Sequence, residues 1–431
     1  MVKLHRWAGL AIAGFLVVAG FTGAVISWDH ELDAFLNPHL TQASGDRLAV
    51  DPFVVAEKIE AGDPRARVTY LPLVVEPGHS LSIFVSPRID PGTGDHFEIG
   101  YNQVFVDPVS GAELGRREWG AVWPISKETI VSFLYVLHYS LHIPEMWGIH
   151  EWGLWFMGGV AIVWMLDAFI GFYLTLPRRR APREARPAPV ERVLSQGWRA
   201  RWAPAWKIKS SGSRYRVTFD VHRAFGLWTW GLLFMLAFTA FSLSLYREIF
   251  YPLMSVISEV TPTPFETRQA ANDHTQIEPK LDFRAIAARA SAEGAQRNWR
   301  EPVGAVFYSA EIGVYGAKYS HPGDDHGAAG VGPAEIYFDA LDGRVIGDRL
   351  PWRGTAADIF VQAQFPLHSG RILGLPGRIL ISIMGLVVVA LSISGVLIYV
   401  RKQKARRALD TKTAAQPQHP ELRARHATTR H

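Results

Sequence analysis

The chain has no cysteine among its 431 residues. Disulfides, iron–sulfur clusters, cysteine-type zinc sites and covalently attached c-type haem are excluded together. Any cofactor must be held by histidine, carboxylate or packing. No Gly-x-Gly-x-x-Gly follows a strand-like run, so no flavin or nicotinamide fingerprint is visible. No small-x-small cleavage site precedes Trp28-Asp29-His30, and the first apolar run is too long for a signal peptide. It reads as an uncleaved helix. Acids are scarce in 177–221, which carries 12 Lys/Arg against three Asp/Glu.

What is abundant is apolar. Hydrophobic residues make up 48% of the chain, with 15 Trp and 23 Phe. A membrane-crossing helix needs about 20 mostly apolar residues. Four stretches qualify: 7–28, 153–176, 222–246 and 373–400. None looks like the broken helix of a transporter. Besides 177–221, basic residues gather at Lys3 and Arg6 and in RKQKARR from Arg401. By contrast, 29–152 carries 8 Lys/Arg against 18 acids, and 247–371 carries 12 against 16. Lys and Arg mark the cytoplasmic side, so both termini are expected inside and two large segments outside. Beside membrane helices the basic runs read as topology and headgroup contact, not nucleic-acid binding. The Pro/Arg-rich stretch 181–215 reads as a loosely ordered linker, and the tail beyond about residue 405 as disordered.

The sequence is written twice. LHRWAGL from Leu4 returns as VHRAFGL from Val221, 217 residues on. Phe21-Thr22-Gly23 matches Phe238-Thr239-Ala240, and Glu31 matches Glu248, at the same offset. Each half then shows an amphipathic helix, 51–62 and 282–294, followed by strand-like runs. A hairpin follows in each, 105–117 and 337–349, with Asp-x-x-x-Gly turn chemistry. The expected fold is a membrane α-helical bundle of four transmembrane helices with two α+β external domains and an internal two-fold repeat. Its segments are 1–28 (first helix), 29–137 (first external domain), 138–176 (His-bearing segment and second helix) and 177–221 (basic linker). They continue as 222–246 (third helix), 247–367 (second external domain), 368–400 (His-bearing segment and fourth helix) and 401–431 (basic tail).

Of the 16 histidines, most lie in polar segments. His30, His39, His79, His96 and His274 read as solvated, and His321 to His326 as a Gly/Asp-rich surface loop before a metal site. A second set stands at membrane edges. His5 and His222 open the first and third helices; His138, His142 and His150 precede the second; His368 precedes the fourth. Ionisable groups at membrane depth default to function. A b-type haem needs two axial imidazoles at one depth, and two helices entering from one side supply one each. His5 and His222 meet that condition. Gly9 and Gly226, one turn later, leave room for a flat macrocycle or serve close packing. Arg6 and Arg223 pair with propionates or only set topology. On the other side His368 would pair with His138 or His142; one hairpin alignment favours the first and a glycine alignment the second. His150 is the weaker candidate. Zinc at His138 and His142 lacks the Glu of a metalloprotease helix. Asp167, inside helix two, would hydrogen-bond a ligand histidine, handle a quinol proton, or serve structure alone.

Together LHRWAGL with FTG, VHRAFGL, LHYSLHIPEMWG running into WMLDAFIGFYLTLP, and LHSGRILGLPGR resemble the PepSY-associated transmembrane-helix family. The hairpins FVDPVSG and YFDALDG resemble the end of a PepSY module. The resemblance covers nearly the whole chain apart from linker and tail. It implies a bacterial inner-membrane protein with four membrane helices and two periplasmic PepSY-like domains, similar to dihaem reductases that take iron off ferric siderophores. The family's histidines carry over to His5, His222, His138 or His142, and His368. Pro144-Glu145 departs from the family's Gly-rich turn and leaves the choice between His138 and His142 open.

The expected function is electron transfer through one or two b-type haems to a periplasmic ferric chelate. A quinol or a separate reductase is the donor. The rival is a haem-free PepSY protein that binds peptides or restrains a protease. Stoichiometric haem separates the two.

Overall fold

The computed structural model describes residues 1–177, 197–270, 275–324 and 326–415, with backbone alone for 412–415. Nine helices carry the argument: α1 Val2–Ile26, α2 Pro52–Gly62, α3 Ile130–Ser140, α4 Trp152–Thr175, α5 Arg214–Trp228, α6 Trp230–Ser244, α7 Phe283–Gln296, α8 Gln364–Ser369 and α9 Leu375–Ala415. Among the described residues α1, α4 and α9 are long and apolar enough to cross a membrane. At about 1.5 Å per residue each exceeds a hydrocarbon core of about 30 Å. The chain divides into two compact units. The first comprises Met1–Val17, Val163–Leu233 and Val387–His431; the second comprises Val18–Ile162 and Phe234–Leu386.

The expected third span, 222–246, is not one straight helix. It is the pair α5 and α6, bent by 70°. At the break the Thr229 hydroxyl and amide both bond the Phe225 carbonyl, at 2.7 and 3.0 Å. Such back-bonding bends helices. The flanking indoles then point to different partners: Trp228 donates to the Trp206 carbonyl and Trp230 to that of Ala168. The α6 helix alone has 15 residues, about 22 Å, so only the bent pair is long enough to cross. The expectation that no helix is broken is therefore corrected.

Part of the expected loose linker is also ordered. Trp198–Trp202 is helical and Ala203–Trp206 a 3-10 turn. Trp202 stacks against both Trp198 and Trp206, with ring centres at 5.0 and 5.1 Å. Aromatic packing replaces the missing aliphatic core there. The stretch 181–196 lies outside the described residues, as does the tail from 416. Residues 405–415 continue α9 as helix rather than starting a disordered tail; Ala, Arg and Lys are good helix formers.

In the second unit, helix-then-four-strands occurs twice in the chain. After α2 come β1 Ala66–Pro72, β2 Leu81–Pro87, β3 Gln103–Val106 and β4 Glu113–Arg117. After α7 come β5 Val303–Ser309, β6 Val314–Tyr319, β7 Ala334–Asp339 and β8 Val345–Arg349. Where two external domains were expected, all eight strands form one antiparallel sheet, ordered β4-β3-β2-β1-β5-β6-β7-β8. The seam pairs Tyr70 with Phe307 and Leu71 with Val306. Joining the two meanders leaves neither β1 nor β5 as an open edge, which would invite aggregation. Helix α2 packs Val55 and Ile59 on Val68, Leu81 and Ile83; α7 packs Ile286 and Ala290 on Val306, Tyr315 and Ile336. Asp51 and Asp282 cap the two helices by accepting from the Phe53 and Ala285 amides.

Both expected hairpins are present, β3–β4 and β7–β8. Gly111 and Gly343 each take φ of 72°, a left-handed turn position that favours glycine. Asp107 accepts the Ser110 and Ser44 amides, which hold its carboxyl well below the usual carboxylate range.

Candidate functional site

The structure brings four of the six membrane-edge histidines together in two pairs, one inside each unit. In the first unit His5 of α1 faces His222 of α5, with ring centres 6.4 Å apart and planes at 56°. In the second, His138 of α3 faces His368 of α8, at 6.1 Å and 54°.

Each ring is held by one nitrogen. His5 Nδ1 lies 2.9 Å from Asp167 Oδ1. His222 Nδ1 lies 3.1 Å from the Leu391 carbonyl and 2.9 Å from Ser394 Oγ. His138 Nδ1 lies 3.0 Å from the Ala19 carbonyl and 3.1 Å from Thr22 Oγ1. His368 Nδ1 lies 2.9 Å from Thr239 Oγ1. A carbonyl or carboxylate can only accept. The threonine hydroxyls donate to their own helix, to Val18 and Met235 carbonyls at 2.8 Å, so they accept from the rings. In all four histidines Nδ1 is therefore the N–H, and Nε2 keeps the lone pair. A metal-binding histidine commonly donates its other ring N–H to a carboxylate, carbonyl or hydroxyl in this way.

Pairs of this kind can be tested for fit to a haem. Among the described residues no cluster of three or more His or carboxylate side chains gathers to hold a bare metal ion. Two imidazoles alone hold such an ion poorly, because it wants four or more ligands. A haem brings its own four equatorial nitrogens and asks the protein for two axial ones. With metal–nitrogen bonds of about 2.0 Å and about 1.1–1.2 Å from nitrogen to ring centre, two rings in line stand about 6.3 Å apart. The observed separations of 6.4 and 6.1 Å match that spacing. Around the first pair Gly226 has nothing within 4 Å of where a Cβ would stand, and Gly9 meets only Asp167 Oδ2 at 3.8 Å. A side chain at Gly226 would meet nothing and one at Gly9 would touch only Asp167, so neither glycine is wedged against a neighbouring backbone.

Other glycines fix the rings. A Cβ on Gly171 would stand 3.4 Å from His5 Cε1, one on Gly395 3.3 Å from His222 Cε1, and one on Gly23 2.8 Å from His138 Cε1. Asp167 and Gly171 are i and i+4 on α4; Leu391 and Gly395 are i and i+4 on α9, so each helix offers one face to one imidazole. Sequence reasoning singled out Thr22 and Thr239 only as landmarks and missed Ser394, Gly171 and Gly395. The repeated Phe-Thr was the available signal: the same hydroxyl, 217 residues apart, serves the same purpose.

His142 does not join His368. The helix α3 ends at Ser140, and Leu141 and His142 take φ of 55° and 51°. The shared face expected from i, i+4 spacing is lost past the helix end. His142 turns back, stacks on Phe133 at 4.6 Å, and spends Nε2 on the Phe133 carbonyl at 2.9 Å. His150 is exposed and pairs with Glu145. Arg223 is engaged with the Pro204, Ala205 and Lys207 carbonyls and with Asp220, so it braces the ordered part of the linker. Arg6 is half-buried on α1, one residue after His5. His274 lies outside the described residues. His30, expected as solvated, is exposed but packs edge-on against His326 at 5.2 Å. Beside them a cleft of about 490 Å³ is lined by His326, Gly330, Arg371, Leu375 and Arg378, among others. Asp29 and Glu31 balance its two arginines.

A family model described as the PepSY-associated TM region matches residues 2–402. No protein with a curated description matches the chain.

Proposed function

The chain belongs to the PepSY-associated transmembrane family and is a multi-pass membrane protein, and from that premise we propose that it is a b-type dihaem electron-transfer protein. His5 and His222 would hold one haem, His138 and His368 the other. The observation that carries this reading is the two imidazole pairs, with ring centres 6.4 and 6.1 Å apart, each ring with Nδ1 committed to a partner and Nε2 without one among the described residues. When bound, a haem supplies one-electron oxidation and reduction at its iron.

The chain's own residues supply placement. Asp167, Ser394, Thr22 and Thr239 fix each ring's tautomer and direction. Gly226 and Gly9 carry no side chain one turn from His222 and His5, where a macrocycle would lie. Arg6, one residue after His5 on α1, would be the cation for a propionate there. The reading extends to a reductase in a bacterial inner membrane, with termini in the cytoplasm and the sheet in the periplasm. Its electron acceptor is a ferric chelate such as a siderophore, and its donor a quinol or a separate reductase. Two ferric ions reduced to ferrous take the two electrons of one quinol, which releases two protons. Ferrous iron leaves such chelators more readily. The cleft at His326, Arg371 and Arg378 is of a size for a small ligand, and Arg371 follows His368 by three residues.

The test is a visible spectrum of the detergent-purified protein, oxidised and dithionite-reduced, with a pyridine haemochrome assay. About two b-type haems per chain are expected. His5→Ala and His222→Ala should each remove the same one, and His138→Ala and His368→Ala the other. A colourless protein after expression with ample haem refutes the reading and leaves the haem-free peptide-binding or protease-regulating role.

A further inference from the structure

The four rings are not held alike. His222, His138 and His368 give their Nδ1 protons to carbonyls and hydroxyls, all neutral. Only His5 gives its proton to a carboxylate, Asp167 Oδ1 at 2.9 Å. The Asp167 side chain is 10% exposed and sits in the apolar stretch WMLDAFIG of α4. A carboxylate there is costly and defaults to function. Positioning alone does not require it, since a serine hydroxyl and a carbonyl do the same work for His222 from α9. What the carboxylate adds is charge. It draws the Nδ1 proton toward itself and makes Nε2 a stronger donor to a metal. A stronger axial donor favours the ferric over the ferrous state.

Resting on the dihaem reading, we propose that Asp167 sets the His5/His222 site at a lower reduction potential than the His138/His368 site. Asp167 is then a positioning residue that acts through His5. An electron shared between the two sites settles at His138/His368, so the direction of transfer is built into the hydrogen bonding of the rings.

The experiment is a spectroelectrochemical titration of the holoprotein, wild type against Asp167→Asn and Ser394→Asp. His138→Ala, which keeps only the first site, assigns the steps. Two one-electron steps are expected in the wild type, the lower belonging to His5/His222. In Asp167→Asn that step should rise and the other stay. The expected change is roughly tenfold in the reduced-to-oxidised ratio at fixed potential, about 59 mV for one electron. Ser394→Asp places a second carboxylate on the same pair and should move the same step down. Should Asp167→Asn lose haem, Asp167→Ser copies the acceptor His222 already has, and Ser394→Asp reads the charge independently. Haem present at both sites with the lower step unmoved, or with the upper step moved instead, overturns the proposal while the dihaem reading stands. A wild-type protein without haem overturns both.

Discussion

Thr22→Val tests whether the second pair is built by its hydroxyls. Valine keeps the shape of threonine and loses one acceptor. In the folded protein the Thr22 hydroxyl donates to the Val18 carbonyl at 2.8 Å and accepts from His138 Nδ1 at 3.1 Å. The Ala19 carbonyl, 3.0 Å from the same nitrogen, remains. The ring is therefore loosened, not released. One shared hydrogen bond is worth about 1 kcal/mol net, which converts to about a fivefold loss in haem affinity. That is smaller than the 10–100-fold typical when a metal site loses an outer partner outright. Thr239→Val should cost as much or more, because its bond to His368 is shorter, at 2.9 Å. The assay is haem titration into apoprotein in the His5→Ala background, where one pair remains and gives one isotherm. An unchanged dissociation constant in both valine variants would refute the claim that these hydroxyls aim the ligands.

His142→Ala should leave haem content and both α bands unchanged, because its Nε2 is spent on Phe133; loss of a haem, measured by pyridine haemochrome, would reinstate it as a ligand. Gly385→Leu should lower the thermal midpoint, since even a Cβ at Gly385 would stand 2.4 Å from the Gly20 carbonyl of α1; such overpacking costs about 1–3 kcal/mol, and an unshifted melt speaks against the contact. Asp63 is held at about 2, first by the Arg65 guanidinium, against about 3.9 in an unfolded chain. A lowered folded value means stability that is full above about pH 4 and is lost as pH falls toward 2. Circular dichroism of the strand signal against pH should show that loss, and Asp63→Asn should flatten it; an equally steep loss in the variant assigns the effect to other acids.

Much of the scaffold was legible because it rests on local rules. Asp107 and Gly111, like Asp339 and Gly343, announce a turn whose geometry needs a left-handed residue at one place. Asp51 and Asp282 announce helix starts. What was not legible depended on partners distant in sequence. Nothing in VGAVFYS says that β5 will pair with β1, so two domains were expected where one sheet forms. The break at Thr229 was hidden because WTWG reads as apolar throughout. It arises from one hydroxyl back-bonding and two indoles donating to different carbonyls, those of Trp206 and Ala168.

The choice between His138 and His142 shows where periodicity stops being evidence. Spacing of four residues places two side chains on one face only while the helix lasts. LHYSLHIP carries a proline at Pro144, whose ring would clash with the carbonyl of the residue four before it, Ser140, if the helix ran on. The helix ends at Ser140, and the two histidines part there. Thr22 favours His138 from the other side. It repeats as Thr239 at the same offset that relates His5 to His222, and each threonine holds one imidazole of the second pair. His138 is the member of the LHYSLH motif with such a partner. A repeated polar residue inside an apolar helix is thus a better guide to the paired imidazole than that imidazole's own neighbours, because it marks the position at which a second helix presents its ring.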